Sequence, residues 1–339
     1  MALTERENYL MCIHGEQPEW IPIIATEPGQ KGPTTGASPS FLMKQMDPNG
    51  DRKDIWGVEY TTSNEAGGAM IPKTWDFLLD DITKWHDVIK APNLDEIDFE
   101  QLAKKDLEKF KPDRVNQVVQ YGAGGVGFFQ HLMAFMGFTE GLCALYEEPE
   151  ECEALFDYLA DFYCDVCERS IDYYQPDLLS IVDDTAAWGN PFVSVEMFEK
   201  FFVPQYKKLA KFAHDRNLPI TYHNCGKCEC FIEDMVKEVG INSWNPAQNC
   251  NDLAAIKATY GTKLNLVGCI NSSATFIADD LTEEKIREIL QDVADKYAVG
   301  GGFNFMVSFI TPDPTDEKLI WKKATINKVM NEISHNFYK

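Results

Sequence analysis

From residue 178 onward, short apolar runs rich in β-branched residues alternate with longer segments of helical period. The runs are Leu178-Leu-Ser-Ile-Val-Asp183, Pro219-Ile-Thr-Tyr-His-Asn-Cys225, Ile241-Asn-Ser-Trp-Asn245, Leu264-Asn-Leu-Val-Gly-Cys269 and Gly302-Phe-Asn-Phe-Met-Val307. Between them, residues 195–214, 230–239, 253–260 and 282–298 repeat their apolar positions at three- to four-residue spacing. Strand, helix, strand at this interval gives room for a crossover, so the strands are expected to run parallel. The helix starts are legible as well. Ser194 precedes Val-Glu-Met-Phe-Glu and Thr282 precedes Glu-Glu-Lys-Ile, each offering a side-chain oxygen to free backbone N–H groups, with acids early in the helix.

The first half is less regular. Ile21-Pro-Ile-Ile-Ala-Thr26 and Gln117-Val-Val-Gln-Tyr-Gly122 read as strands, and residues 137–174 as a long helical stretch broken near Pro149. Residues 27–80, rich in Gly, Pro and Thr, are expected to form loops and small strands over one end of the fold. Counting Asp54-Ile-Trp-Gly-Val-Glu-Tyr60 as a strand brings the total to eight. No internal repeat or linker is visible, so residues 1–339 are expected to form one domain. That domain is a single (β/α)8 TIM barrel with a loop-rich N-terminal extension.

Composition narrows the function classes. A formal charge of −23 argues against nucleic acid and anionic membranes, both of which attract basic surfaces. No run approaches the ~20 apolar residues of a membrane span, and Met1-Ala-Leu-Thr-Glu-Arg-Glu7 lacks the apolar stretch of a signal peptide. A cytoplasmic location is expected, and the ten cysteines are expected to be thiols rather than disulfides. Cys164 and Cys167 have CxxC spacing but fall within one amphipathic helical pattern, as core or surface thiols would.

In barrels of this kind the catalytic groups sit where strands end on the C-terminal face. Polar residues collect there: Asp183 and Asp184, His223 and Cys225, Asn245 and Gln248, Cys269 and Asn271, and Ser308. His223 and Cys225 are two apart, so a strand's period of two turns both toward the barrel mouth. Imidazole nitrogen and thiolate sulfur suit zinc, which at catalytic sites takes three protein ligands and keeps one position open. The pair reads equally as a core histidine beside a buried thiol, and its place at a strand's end ahead of Gly226 favours the metal. Cys228, Cys230 and Cys269 are candidates for a third ligand, with Cys269 placed to reach inward from another strand. Asp183 and Asp184 are adjacent, so only one faces the pocket. That one is a general acid or a substrate ligand, or both residues anchor a loop. Asn245, Gln248, Asn271 and Tyr222 are expected to bind substrate.

Gly122-Ala-Gly-Gly-Val-Gly127 has the look of a dinucleotide fingerprint, yet no acidic partner follows at the required distance, so a Gly-rich barrel loop fits better. Phe128, Phe129, His131, Met133, Phe135, Met136 and Phe138 are expected in the core or as pocket wall, with His131 a satisfied structural histidine.

Taken together, these segments resemble the uroporphyrinogen decarboxylase superfamily, and more closely its corrinoid-dependent methyltransferase branch, across nearly the whole chain. The carrying segments are Thr4-Glu-Arg-Glu-Asn-Tyr-Leu10 with Gly15-Glu-Gln-Pro-Glu-Trp-Ile-Pro22, Asp54-Ile-Trp-Gly57, Asp183-Asp184 with Trp188-Gly189, and residues 195–204. His223-Asn-Cys-Gly226, Asn245-Pro-Ala-Gln248, Val267-Gly-Cys-Ile-Asn271 and Gly300-Gly-Gly302 complete the pattern. The resemblance implies that His223 and Cys225 are zinc ligands. It also implies a reaction in which a methyl group moves between a small methylated ether, amine or thiol and the cobalt of a separate, transiently bound corrinoid protein.

Two departures bear on this. The arginine-rich N-terminal segment with which the decarboxylases hold porphyrin carboxylates is missing between Trp20 and Gly50, which argues against a porphyrin substrate. The last strand reads Met306-Val-Ser-Phe-Ile310, without the cysteine by which thiol-directed members complete the zinc site. Zinc is then held by His223, Cys225 and a relocated ligand such as Cys269, or is not held. Two other readings remain at this point: a metal-free decarboxylase or lyase of the same barrel, worked by Asp183 or Asp184, and a non-catalytic binding protein.

Overall fold

The computed structural model of the protein describes residues 3–26, 32–45, 51–63, 69–73, 76–123, 125, 127–278, 280–308 and 315–339. The strands are β1 (Thr34–Ala37), β2 (Met43–Gln45), β3 (Arg52–Asp54), β4 (Glu59–Ser63), β5 (Ala69–Pro72) and β6 (Val118–Ala123). They continue with β7 (Leu178–Val182), β8 (Ile220–His223), β9 (Ser243–Ala247), β10 (Asn265–Gly268) and β11 (Phe303–Asn304). Seven of them form one parallel sheet in the order β1-β6-β7-β8-β9-β10-β11. Chain order equals spatial order from β6 onward, as repeated βαβ crossovers require. All four residues of β10, and four of the five of β7, are buried because helices cover the sheet outside and side chains fill it inside.

The structure corrects two of the sequence expectations. The segment 54–60 is not a barrel strand: its residues fall in β3, the turn after it and β4, within a separate antiparallel sheet ordered β2-β3-β4-β5. Asp54 makes that turn, its Oδ1 accepting from the Trp56 and Val58 amides at 3.0 and 2.9 Å. The segment 21–26 supplies a single parallel bridge, Ile23 to Phe305, in place of a full strand. Among the described residues no ladder joins it to β1, so the sheet is a curled half-barrel extended by that bridge. β1 itself, Thr-Thr-Gly-Ala, lies in the region expected to form loops and small strands.

The helix ends follow the caps read from the sequence. Ser194 accepts from the Met197 amide ahead of the helix Val195–Phe201, and Thr282 accepts from the Lys285 amide ahead of Glu283–Tyr297. The expected helix over 195–214 divides at Phe202, because Pro204 has no N–H to continue the first helix and starts a second, Val203–His214. Pro149 likewise begins Pro149–Tyr174 rather than kinking a longer helix. Among the described residues, no helix is long and apolar enough to cross a membrane.

His131 is the satisfied histidine that its apolar helix suggested. Its Nδ1 meets the Gly127 carbonyl, and Tyr163 donates to its Nε2 at 2.8 Å while accepting from Trp56 Nε1 at 3.0 Å. Burial holds its pKa down at about 4, against an ordinary 6.5. Below pH 6.5 the unfolded chain takes up this proton, while the folded one refuses it until about pH 4. Stability from this group is therefore full above pH 6.5 and declines as pH falls through that window. Chemical denaturation at pH 5 is expected to show a loss on the order of 2 kcal/mol relative to pH 8 from this group alone. His131→Gln should flatten that part of the profile, and an unchanged slope would assign it elsewhere.

Candidate metal and substrate site

The register between β7 and β8 builds the site. Val182 pairs with His223, so Asp184 and Cys225, each two residues further on, leave the sheet side by side. The Asp183 amide donates to the His223 carbonyl at 3.0 Å, and the Cys225 amide donates to Asp184 Oδ1 at 2.9 Å, locking the two strand ends together. His223 Nε2 lies 3.6 Å from Cys225 Sγ and 3.6 Å from Asp184 Oδ1. One ligand atom from each of Asp184, His223 and Cys225 thus lies within 4.8 Å of the other two. Gly226 makes the loop possible: at φ +84° it lies so close to the Ala186 and Ala187 carbonyls that a Cβ would approach them to 2.6 and 2.5 Å.

The cluster suits zinc. Bonds of about 2.0 Å to nitrogen or oxygen and about 2.3 Å to sulfur, at tetrahedral angles, place neighbouring ligand atoms roughly 3.3–3.6 Å apart. A chain of hydrogen bonds orients the histidine. Asn245 donates through Nδ2 to Thr221 Oγ1 at 2.9 Å, which leaves its Oδ1 to accept from His223 Nδ1 at 2.8 Å. The proton is then on Nδ1, and the Nε2 lone pair faces Cys225 and Asp184. In the metal-free cluster, burial and the Asp184 carboxylate push the Cys225 thiol up to about 12, so it is protonated there. A divalent cation would displace that proton.

The two aspartates divide their work. Asp183 is fully buried, accepting from the Phe129 and Gln130 amides at 2.9 and 3.1 Å and from the Tyr206 hydroxyl at 2.7 Å. It thereby caps the N-terminus of the helix Phe128–Met136 from a neighbouring strand. Burial, opposed by these three donors and reinforced by Asp184, pushes its carboxyl up to about 7. Gly127, at φ +97°, lets the helix approach, since a Cβ there would come within 2.4 Å of the Asp183 carboxyl carbon. Asp184 instead faces a cavity of about 430 Å3 between that helix and the antiparallel sheet. Gln130 donates to its Oδ2 at 3.3 Å, while Gln130 Oε1 is buried with no hydrogen-bond partner among the described residues, an acceptor that a ligand or water donor would satisfy.

Of the other residues singled out in the sequence, the structure brings Asn245 to the cluster and keeps several away from it. Cys269 is buried at the end of β10, two strands from β8 and so on the order of 10 Å across the sheet. Asp184 stands in the third position instead. Tyr222 is wholly buried, and its hydroxyl accepts from Asn224 at 2.7 Å. Gln248 accepts from the Gly226 amide at 2.7 Å and so braces the ligand loop. Asn271 caps the helix Ser272–Phe276. Ser308 is exposed at the edge of the described residues, and Phe309 and Ile310 lie outside them. Of the glycine-rich run 122–127, residues 124 and 126 also lie outside them. Sequence reasoning overlooked Gln130, whose signal was a polar amide inside Phe-Phe-Gln-His-Leu-Met-Ala-Phe-Met.

Comparison with known proteins agrees with this architecture. The family model for Uroporphyrinogen decarboxylase (URO-D) matches residues 107–315, more than half of the chain and the stretch from β6 to β11 that carries the cluster. The chain belongs to the URO-D family. No curated protein sequence matches it. Among solved structures, a methyltransferase from Methanosarcina mazei shares this URO-D member's fold, with a TM-score of 0.64 and 14% identity over 100% of both chains. A phosphotriesterase homology protein from Escherichia coli aligns with 65% of this chain and 64% of its own at a TM-score of 0.31 and 12% identity, too slight a likeness to argue from.

Proposed function

We propose that this URO-D family member is a methyltransferase that moves a methyl group between a small methylated substrate and the cobalt of a separate corrinoid protein, assisted by zinc. The observation that carries the reading is the convergence of Asp184, His223 and Cys225 at metal-ligand spacing beside a cavity that Asp184 also lines. The full-length likeness in fold to the Methanosarcina mazei methyltransferase supports it. The curled sheet with its Ile23 bridge is read as an eight-membered barrel, with the cluster at the C-terminal mouth where such folds hold their chemistry. Porphyrin decarboxylation fits poorly, because none of the residues described as lining the cavity is Lys, Arg or His, and a porphyrin's carboxylates would face Asp184 unpaired.

In this reading Asp184, His223 and Cys225 hold the metal, which supplies Lewis acidity to the substrate's heteroatom. Asn245 fixes the imidazole, and Gln130 fixes the Asp184 carboxylate through Oδ2. The methyl carbon–heteroatom bond breaks with its electron pair remaining on the heteroatom, which takes up one proton. The methyl group would pass without that pair to the partner's corrinoid, which would supply both electrons of the new bond. A corrin ring is too large to enter a packed barrel, so the partner docks at the mouth and leaves again. Reduced cobalt and ten free thiols both call for a reducing compartment, the cytoplasm.

The purified, zinc-replete chain is expected to be inactive on any methyl donor alone. Added reduced corrinoid protein should restore turnover, followed as the loss of cob(I)alamin absorbance. Methyl release at full rate with no corrinoid present would overturn the assignment in favour of a lyase.

A further inference from the structure

We propose that Asn224, the residue between His223 and Cys225, is a positioning residue that holds Asp184 in place as the third metal ligand. The inference rests on the metal reading above and assigns the contact by which two neighbouring strands complete the site.

The ladder between β7 and β8 cannot do this alone. Along it, alternate amides of the first strand donate to carbonyls of the second, Leu179 to Pro219 and Asp183 to His223, each at 3.0 Å. The next rung of a parallel ladder would join the Thr185 amide to the Cys225 carbonyl. A side chain takes its place: the Thr185 amide donates to Asn224 Oδ1 at 3.1 Å. The chain then turns away from the sheet, and the Phe192 amide donates to the Thr185 carbonyl at 2.9 Å. Asp184 thus lies between the last backbone rung, at Asp183, and the side-chain rung at Thr185.

Asn224 is itself fixed on every side. Its amide donates to the Asn245 carbonyl, and its carbonyl accepts from Trp244 Nε1, both at 3.1 Å. A backbone N–H can only donate, so the oxygen of the Asn224 side chain must be the end that faces Thr185. Nδ2 then donates to Thr185 Oγ1 at 2.8 Å and to the Tyr222 hydroxyl at 2.7 Å. Asn224, Thr185 and Tyr222 are all wholly buried. Thr185 is gripped at both its amide and its hydroxyl, and an apolar side chain of the same size would leave that amide unpaired in the core.

The grip matters because metal bonds tolerate only about 0.2 Å of error. Asp184 Oδ1 accepts from the Cys225 amide at 2.9 Å and lies 3.6 Å from His223 Nε2, a placement that a residue leaving a sheet keeps only if its neighbours are held. A residue that merely stapled the fold would also be buried and bonded in this way. The two roles part at the metal. A staple lowers zinc affinity whatever stands at position 184, whereas a positioning residue loses its effect when position 184 no longer ligates well.

Zinc affinity of the full chain, measured by chelator competition, tests this through a double-mutant cycle. Asn224→Ala is expected to weaken zinc binding ~10- to 100-fold, as loss of a ligand's supporting contact does. In an Asp184→Asn background, where the third donor is already weak, the same substitution should cost less than about threefold. Thr185→Val keeps Asn224 and deletes one of its acceptors. It should weaken zinc binding about three- to tenfold with the same dependence on Asp184, and it carries the test if Asn224→Ala does not fold. Equal losses in both backgrounds would overturn the proposal. Wild-type protein that binds no zinc would remove the metal reading and this inference together. If the dependence on Asp184 holds but no methyl donor serves reduced corrinoid protein, the methyl-transfer reading falls and the positioning role stands.

Discussion

Cys225→Ala and His223→Ala are each expected to cut zinc from about one per chain to below about a tenth, and to lower methyl transfer by ~10³-fold or more. The expectation follows from the cluster's economy. Three protein ligands leave one position for substrate, so losing one leaves two donors that cannot enclose the ion. Cys225 has a particular part in this. Burial and the neighbouring Asp184 charge push its thiol up to about 12, so a cation would have to displace the thiol's proton. Metal binding should therefore release protons and strengthen with rising pH. Asn245→Ala, which removes the acceptor of His223 Nδ1, should weaken zinc affinity ~10- to 100-fold without abolishing it. Elemental analysis and chelator competition on reduced, unchelated protein measure both effects. Wild-type protein lacking zinc, or Cys225→Ala retaining it, would remove the metal from the mechanism.

The parallel sheet was legible in the sequence because strands buried on both faces carry β-branched, aromatic and leucine residues and no acid or lysine, as Leu-Leu-Ser-Ile-Val of β7, Ile-Thr-Tyr-His of β8 and Asn-Leu-Val-Gly of β10 do. The same argument fails for β1, whose Thr-Thr-Gly-Ala contains too little apolar sequence to stand out. Asp54-Ile-Trp-Gly-Val-Glu-Tyr60 misleads for the opposite reason: its alternation belongs to an antiparallel hairpin, which has the same period of two. In the site, the His223–Cys225 spacing was readable because both residues belong to one strand end. The third position was not, because Cys269 ends a strand and was expected to reach inward, whereas adjacency in the sheet brings Asp184 to the pair. β7 pairs directly with β8, and β10 does not. Register across strands cannot be read from one chain's periodicity, so the carboxylate two residues past Val182 could be placed beside Cys225 only once the pairing was known.

The adjacent aspartates should separate cleanly when replaced. Asp183→Ala strips a buried carboxyl from two helix amides and the Tyr206 hydroxyl, leaving three donors without partners in the core. Such losses cost about 3–5 kcal/mol, and the melting temperature should fall by about 4–7 °C. Activity should suffer through displacement of the helix Phe128–Met136, which carries Phe129 and Gln130 into the cavity wall. Asp184→Asn, on a half-exposed side chain, should leave melting within ~2 °C yet depress methyl transfer by ~10²-fold or more, since an amide is a neutral and weaker donor to a cation. Calorimetry beside single-turnover assays distinguishes the two. If Asp183→Ala melts like wild type while losing activity as fully as Asp184→Asn, then Asp183 contacts substrate directly and the division of labour drawn from the hydrogen bonds is wrong.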